Sequence, residues 1–496
     1  MKSYFGFVVL GSLVSLANFA NASCPAWIKD KQSLPLCPET SLLSETYPAA
    51  ALVVSDRSTM GYRDESFPAE VIAKYLKAQP DRAPLFVLPV DNETMTVIYR
   101  KLEEMPGTPE QKALWKKQIV QVKGKSYPWQ QDYFESFANP RTGKMEIREV
   151  GNYGETETFN AIAAELNKCG ISTGKVLKNR EGVSGTYGGN IEALPGGICM
   201  VGNDSFETHT DWSDYVDQFC GKDPDMRIEV PTYFMTVGHT DEIVKVLPSN
   251  SSGSCGFSVS IASPNKALEL LKSQGKDLFI QNPEKVMIPF RDANNKGMQG
   301  PGNGLKTVCR AVRGKDAVPR TRGDSGVSFL EWITQPRTVH ASQDVCASIT
   351  NAEVYNTVMQ DQQIREYNQG IQKEMDRLKA VIRQKLVKKM PQCKVDFIDV
   401  PNLFFGGAVV SGEARPLSAA TGDSILPNPA NALSAGNTVI SPEPQNKAFK
   451  NYISTEYAKR GIKADFVNTY SYGHVGGGNL HCATHTIHAC KGRGGQ

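Results

Sequence analysis

Histidine is scarce in this chain, with seven among 496 residues, and tryptophan is scarcer at five. Charge of one sign is missing as well. The balance of 55 basic against 52 acidic residues leaves +3, too little for a general attraction to nucleic acid or to an anionic membrane. Beyond the first 22 residues no run approaches the ~20 apolar residues that a bilayer span needs, so no membrane span is expected in the mature chain. Tandem repeats and low-complexity linkers are also wanting, so residues 50–496 read as one main domain preceded by a short extension at 23–49.

What is present starts at the N-terminus. After Lys2, the stretch YFGFVVLGSLVSLANFANA joins one positive charge to an apolar middle and to Ala20 and Ala22 at cleavage-site spacing. Residues 1–22 therefore read as an export signal, and the mature chain as secreted or periplasmic. In that setting the eleven cysteines, at 24, 37, 169, 199, 220, 255, 309, 346, 393, 482 and 490, imply disulfides. An odd total leaves at least one without an intramolecular partner, as an intermolecular bridge, a reactive thiol or an incidental buried one.

Strand-like and helix-like segments alternate, which points to α/β or α+β architecture. Residues 50–54 and 84–90 read as buried strands with a helical stretch near Ala69 to Leu76 between them. Tyr233 to Val237 reads as another strand. A helix starts near Ala352, repeats Ile364, Tyr367, Ile371, Met375, Leu378, Ile382 and Leu386 along one face, and stops at Pro391. The stretch 395–405 reads as a strand, and 291–325 and 407–437 as long loops, functional or mobile.

Four stretches carry polar constellations. In FMTVGHTDEIVKVLPS, residues 234–249, an extended backbone puts His239 and Asp241 on one face, as an imidazole beside a carboxylate that grips a cation, or as an exposed turn. In PWQQDYFESF, residues 128–137, Asp132 and Glu135 stand among aromatics, where an unpaired carboxylate costs several kcal/mol. Glu192 lies in the glycine-rich GTYGGNIEALPGG, residues 185–197, which lacks the Lys-Ser/Thr of a phosphate cradle. Finally, GHVGGGNLHCATHTIHAC, residues 473–490, gathers four of the seven histidines with two cysteines. It reads as a loop presenting a reactive side chain, as a stapled tail, or as a zinc site of Cys₂His₂ type drawn from His481, Cys482, His485, His488 and Cys490, although the spacing fits no standard zinc pattern.

Taken together, WQQDYFE (129–135), YGGNIEALP (187–195), VGHTDEIVKV (237–246), IREYNQGI (364–371), IDVPNLF (398–404), PNPANALSAGNTVISPEP (427–444) and GGGNLHCATH (476–485) resemble the catalytic domain of protein-arginine deiminases, within the guanidine-modifying superfamily. The resemblance implies an α/β fold, a five-bladed α/β propeller (pentein) of pseudo-repeated ββαβ units. It assigns Cys482 as nucleophile, His239 as general acid/base, and Asp132 and Asp241 as the pair that holds a guanidinium. The other ten cysteines are then free to form up to five bridges. Cys490 becomes a bridge partner for one of them, or a regulatory partner of Cys482.

The implied reaction turns arginine within a protein or peptide into citrulline and ammonia. Free arginine, agmatine, amidino transfer to an amine, and a non-catalytic binding protein on the same scaffold are the alternatives. No cofactor is required for this chemistry. Animal members need calcium, and Glu135 and Glu192 match two of its ligand positions. Tyr133 stands where a further acidic ligand would be, so at most partial calcium dependence is expected.

Overall fold

The computed structural model describes residues 24–494 apart from 31–32, 39–41, 57–65, 125–127, 151–155, 175–186, 204–211, 236, 251–254, 282–349, 361, 407–421, 471 and 475–477. The export-signal reading, the loop at 291–325, Cys309 and Cys346 therefore lie outside the described residues.

The described strands form six small sheets, and five of these repeat one scheme: an antiparallel pair whose second strand also pairs in parallel with a third. Phe134–Ala138, Met145–Glu149 and Ser172–Thr173 make the first. Ile191–Leu194, Ile198–Gly202 and Arg227–Val230 make the second, and Val244–Pro248, Phe257–Ser263 and Asp396–Pro401 the third. Leu433–Ala435, Thr438–Pro442 and Lys463–Val467 make the fourth. The fifth joins distant parts of the chain: Thr484–His488 runs antiparallel to Ala49–Val54, which pairs in parallel with Leu85–Leu88, and that in turn with Ile119–Gln121. Helical segments connect the second strand to the third in each unit, as a parallel crossover requires.

Local sequence explains these elements. AAALVV at 49–54 is buried at every position, as expected of a strand covered on both faces. Thr108 begins helix Pro109–Lys117 with a reciprocal cap to Gln111 and proline in the first turn. The apolar stripe from Ile364 to Leu386 falls on helix Gln362–Lys389 and is buried throughout. It packs on Val244, Val246, Val259 and Ile261 of the third sheet, where each buried Leu or Ile contributes about 1.5–3 kcal/mol. The helical pattern read from Ala352 appears as two helices, Asn351–Gln360 and Gln362–Lys389.

Two expectations need correcting. Tyr233 and Phe234 form a turn rather than a strand, and the preceding strand is Arg227–Val230. Turn formation here lets Phe234 bury between Tyr233 and Phe404. The stretch 407–437 is not all loop, because Gly422–Ser424 pairs with Phe404–Gly406 and Leu433–Ala435 belongs to the fourth sheet. The extension at 23–49 is integrated with the rest: Cys24 is bridged to Cys169 and Cys37 to Cys490, and Leu42 forms a bridge with Phe137. Cys199–Cys220 and Cys255–Cys393 complete four disulfides among the described residues, which accords with an oxidising environment. No described helix is long and apolar enough to cross a membrane.

Candidate active site

One position recurs in all five units. Just before the first strand of each, the chain makes a tight turn, and the turn carries polar side chains: Gln130–Asp132, Gly188–Asn190, Thr240–Glu242, Asn428 to Asn431, and Asn479 to Cys482. These turns are hydrogen-bonded to one another in a closed circuit. Gly189 N–H donates to Asp132 Oδ1 (3.4 Å), Thr240 Oγ1 to the Asn190 carbonyl (3.0 Å), and Asn431 Nδ2 to the Asp241 carbonyl (3.3 Å). His481 N–H donates to Asn431 Oδ1 (2.7 Å), and Gln131 N–H to the Cys482 carbonyl (3.2 Å), closing the ring. Asparagine suits such turns because its amide both accepts from and donates to nearby backbone.

The ring brings together residues that lie up to 350 positions apart. His239 Nδ1 lies 3.7 Å from Asp132 Oδ1, and Cys482 Sγ lies 3.3 Å from Asp241 Oδ2. The centre of this group is marked by Gly189. A Cβ there would come within 2.7 Å of His239 Nδ1, 3.1 Å of Asp132 Oδ1 and 3.3 Å of Asp241 Oδ2, so only glycine admits all three. His239, Asp132, Asp241 and Cys482 are all buried. The expectation that His239 and Asp241 share one face of an extended segment is replaced by a tighter geometry. His239 is extended, but Thr240–Glu242 is a 3₁₀ turn, and the turn swings Asp241 towards Cys482.

Cys482 is the one free cysteine among the described residues, and it is buried. Cys490 is bridged to Cys37, which removes it both as a partner of Cys482 and as a zinc ligand. His488 is likewise engaged, through Nδ1 on the Tyr47 carbonyl at 2.8 Å, so the Cys₂His₂ reading of the tail is set aside. Burial, followed by the negative carboxylates of Asp241, Glu242 and Asp132, holds the Cys482 thiol well above its ordinary pKa. Asp241 is held below the usual carboxylate range. Burial alone would raise it, but His481, with Nδ1 at 2.8 Å, and His239 outweigh that.

Several residues around the site have little signal in the sequence. Glu242 Oε1 lies 3.4 Å from Cys482 Sγ and is held by Asn428 and Asn479. Burial and the Asp241 charge push its carboxyl up to about 8. Asn431 Nδ2 donates to Cys482 Sγ at 3.1 Å. Behind Asp241, His481 Nε2 meets Glu45 Oε1 at 2.9 Å, and Lys245 Nζ lies 3.0 Å from Glu45 and 3.3 Å from Glu192. Lys245 stands in the quoted stretch VGHTDEIVKV as a lysine inside an apolar strand, and Glu45 has no such signal.

Glu135 and Glu192, the two residues matched to calcium ligands, line a cavity of about 20 Å³ with Glu45, Gln131, His481 and His488. Burial and the neighbouring Glu192 charge push Glu135 well above the usual range. Ligand atoms of Glu45, Glu192 and His481 lie within 4.8 Å of one another, but the donor set does not fit calcium. Calcium takes six to eight oxygens, whereas here the Lys245 ammonium is already on Glu192 and His481 Nε2 is 3.6 Å from the same oxygen. Tyr133 is packed into an apolar cluster with Phe134 and Ile147 and adds no ligand.

The family model for protein-arginine deiminase matches residues 190–491, more than half of the chain, and takes in His239, Asp241 and Cys482. No curated protein matches. Among solved structures, C. jejuni agmatine deiminase is 12% identical, with 91% of this chain and 97% of that one covered and a TM-score of 0.44. The agmatine deiminase of Enterococcus faecalis is 11% identical, with 94% and 98% covered and a TM-score of 0.45. A structure named as a candidate peptidyl-arginine deiminase is 11% identical, with 90% and 98% covered and a TM-score of 0.47. On the family match, this chain belongs to the protein-arginine deiminase family.

Proposed function

We propose that the protein hydrolyses the guanidinium group of arginine within proteins, giving citrulline and ammonia through a covalent intermediate on Cys482. The observation that carries this reading is the meeting of the one free thiol among the described residues with Asp132, Asp241 and His239 around Gly189. A guanidinium is planar and permanently charged, and two carboxylates grip its N–H fork and fix its plane. Asp132 and Asp241 fill that part. The Cys482 thiolate attacks the central carbon from above the plane, and His239 passes a proton to the departing nitrogen, so ammonia leaves and an amidino-thioether remains. His239 then takes a proton from water, whose oxygen attacks the same carbon. The C–S bond breaks, releasing the ureido product and regenerating Cys482.

The raised thiol suits a substrate that supplies its own positive charge. With the cation bound between the carboxylates, the thiol loses its proton beside that charge. In the same reading the five repeated units are the blades of a propeller with the ring of turns at its axis, and the chain acts outside the reducing cytoplasm.

The protein-arginine substrate follows the family description. Agmatine, named for two of the solved structures, presents the same guanidinium and is the second reading. Assaying ammonia and ureido product with an arginine-containing peptide, free arginine and agmatine separates them, with Cys482→Ser as control. Turnover of the peptide alone is the expected result. Turnover of agmatine alone would overturn the substrate, and product from Cys482→Ser would overturn the chemistry.

A further inference from the structure

Lys245 is fully buried on strand Val244–Pro248, with Ser260 opposite it on the neighbouring strand. A buried ammonium without partners costs several kcal/mol, so its surroundings have to supply charge. They do so with two carboxylates from different parts of the chain: Glu45 Oε1 at 3.0 Å and Glu192 Oε1 at 3.3 Å. Glu45 comes from the extension that the Cys37–Cys490 bridge ties down, and Glu192 from the strand after the Gly188–Asn190 turn.

From this cluster a continuous chain of contacts leads to the site. His481 Nε2 meets Glu45 Oε1 at 2.9 Å, and its other ring nitrogen meets Asp241 Oδ2 at 2.8 Å. That same Asp241 oxygen accepts from Cys482 Sγ at 3.3 Å. A ring nitrogen fixed on one side fixes the direction of the other.

We infer that Lys245 is a built-in cation that holds the Glu45 and Glu192 carboxylates in place of a divalent metal, and that through Glu45 and His481 it orients Asp241. The ammonium gives Glu192, one of the two residues matched to calcium ligands, a positive charge that needs no bound ion. Lys245 is thus a positioning residue: it touches neither the thiol nor the guanidinium. Glu135 and Gln131, hydrogen-bonded to each other at 3.3 Å, border the same cavity, and neither contributes a second cation.

The calcium half of this inference stands apart from the deiminase reading, and the orientation half rests on it, so the experiment has two arms. In the first, purified wild-type protein is dialysed against calcium, and melting is followed with calcium or with EDTA. Neither uptake nor a shift in melting temperature is expected; one equivalent of bound calcium, or a melting temperature lowered by EDTA, overturns the substitution of ammonium for metal. In the second, Lys245→Met is assayed on the arginine peptide. Misplacing a positioned group costs up to about 100-fold, so kcat/KM is expected to fall 10- to 100-fold, with KM rising as Asp241 loses its direction. Lys245→Arg, which keeps the charge, is expected to recover most of the loss. Unchanged kcat/KM in Lys245→Met overturns the positioning role. Should that variant fail to fold, Glu45→Gln breaks the same chain one link on and is read by the same KM rise.

Discussion

Asp241→Asn should make Cys482 more reactive and the protein less able to turn over substrate, two effects of opposite sign from one substitution. Asp241 Oδ2 lies 3.3 Å from Cys482 Sγ, in a fully buried setting. Two unit charges ~4 Å apart at an effective dielectric of ~20 interact by about 4 kcal/mol. Burial and this charge are what raise the thiol, so removing the carboxylate charge should lower its pKa. While that pKa stays above the assay pH, the thiolate fraction rises by more than its weaker nucleophilicity returns, so iodoacetamide should alkylate the variant faster at pH 7.5. On the arginine peptide, loss of half the guanidinium grip should lower kcat/KM by at least about 100-fold. Mass spectrometry of the alkylated Cys482 peptide gives the first rate, and the ureido product the second. Equal alkylation rates in the two proteins, or a wild-type thiol titrating below neutrality, would refute the claim that the carboxylates keep the free thiol protonated.

Other expectations follow from the same geometry. Gly189→Ala should lower kcat/KM about 100-fold or more with little change in melting temperature, because the added Cβ meets His239 Nδ1 at 2.7 Å; full activity would show that the three groups move apart freely. Glu242 is pushed up to about 8, above its unfolded value of about 4.3, so the folded state prefers its protonated form. Its contribution to stability is complete below pH ~4.3 and is lost as pH rises through about 8. Melting temperature should decline between pH ~4.3 and ~8 and level off above, and Glu242→Gln should flatten that decline; a parallel decline in the variant would assign the slope elsewhere. Reducing agent should lower the stability of the protein by about 2–5 kcal/mol for a buried bridge such as Cys37–Cys490. Melting with and without dithiothreitol, and the variant Cys37→Ser, measure this, and no difference would mean that packing alone holds the extension.

How much of this was legible in the sequence depends on the distance over which each residue acts. The stripe from Ile364 to Leu386 and the strand at 49–54 are set by local period and hydrophobicity, and both lie where the pattern places them. The turn at Tyr233 and Phe234 was misread as a strand because an aromatic pair satisfies β propensity as well as it fills a core. Asp132, His239, Asp241 and Cys482 stand in motifs whose residue types suit a guanidinium. Lys245 and Asn431 also stand in quoted stretches but are given no role there, and Glu45 stands in none, since their roles arise only where five separate turns meet. The repeat itself was hidden for the same reason. What recurs is pairing order, which many different side chains satisfy.

Strand Thr484–His488 pairs with Ala49–Val54, so that His488 lies opposite Ala49 although 439 residues separate them. A chain cut short before residue 479 keeps Asp132, His239 and Asp241 but has neither the sulfur of Cys482 nor the strand that closes the fifth sheet. The thiol thus sits two residues from the seam that joins the two ends of the chain, so a fragment without either end has the seam unpaired beside it.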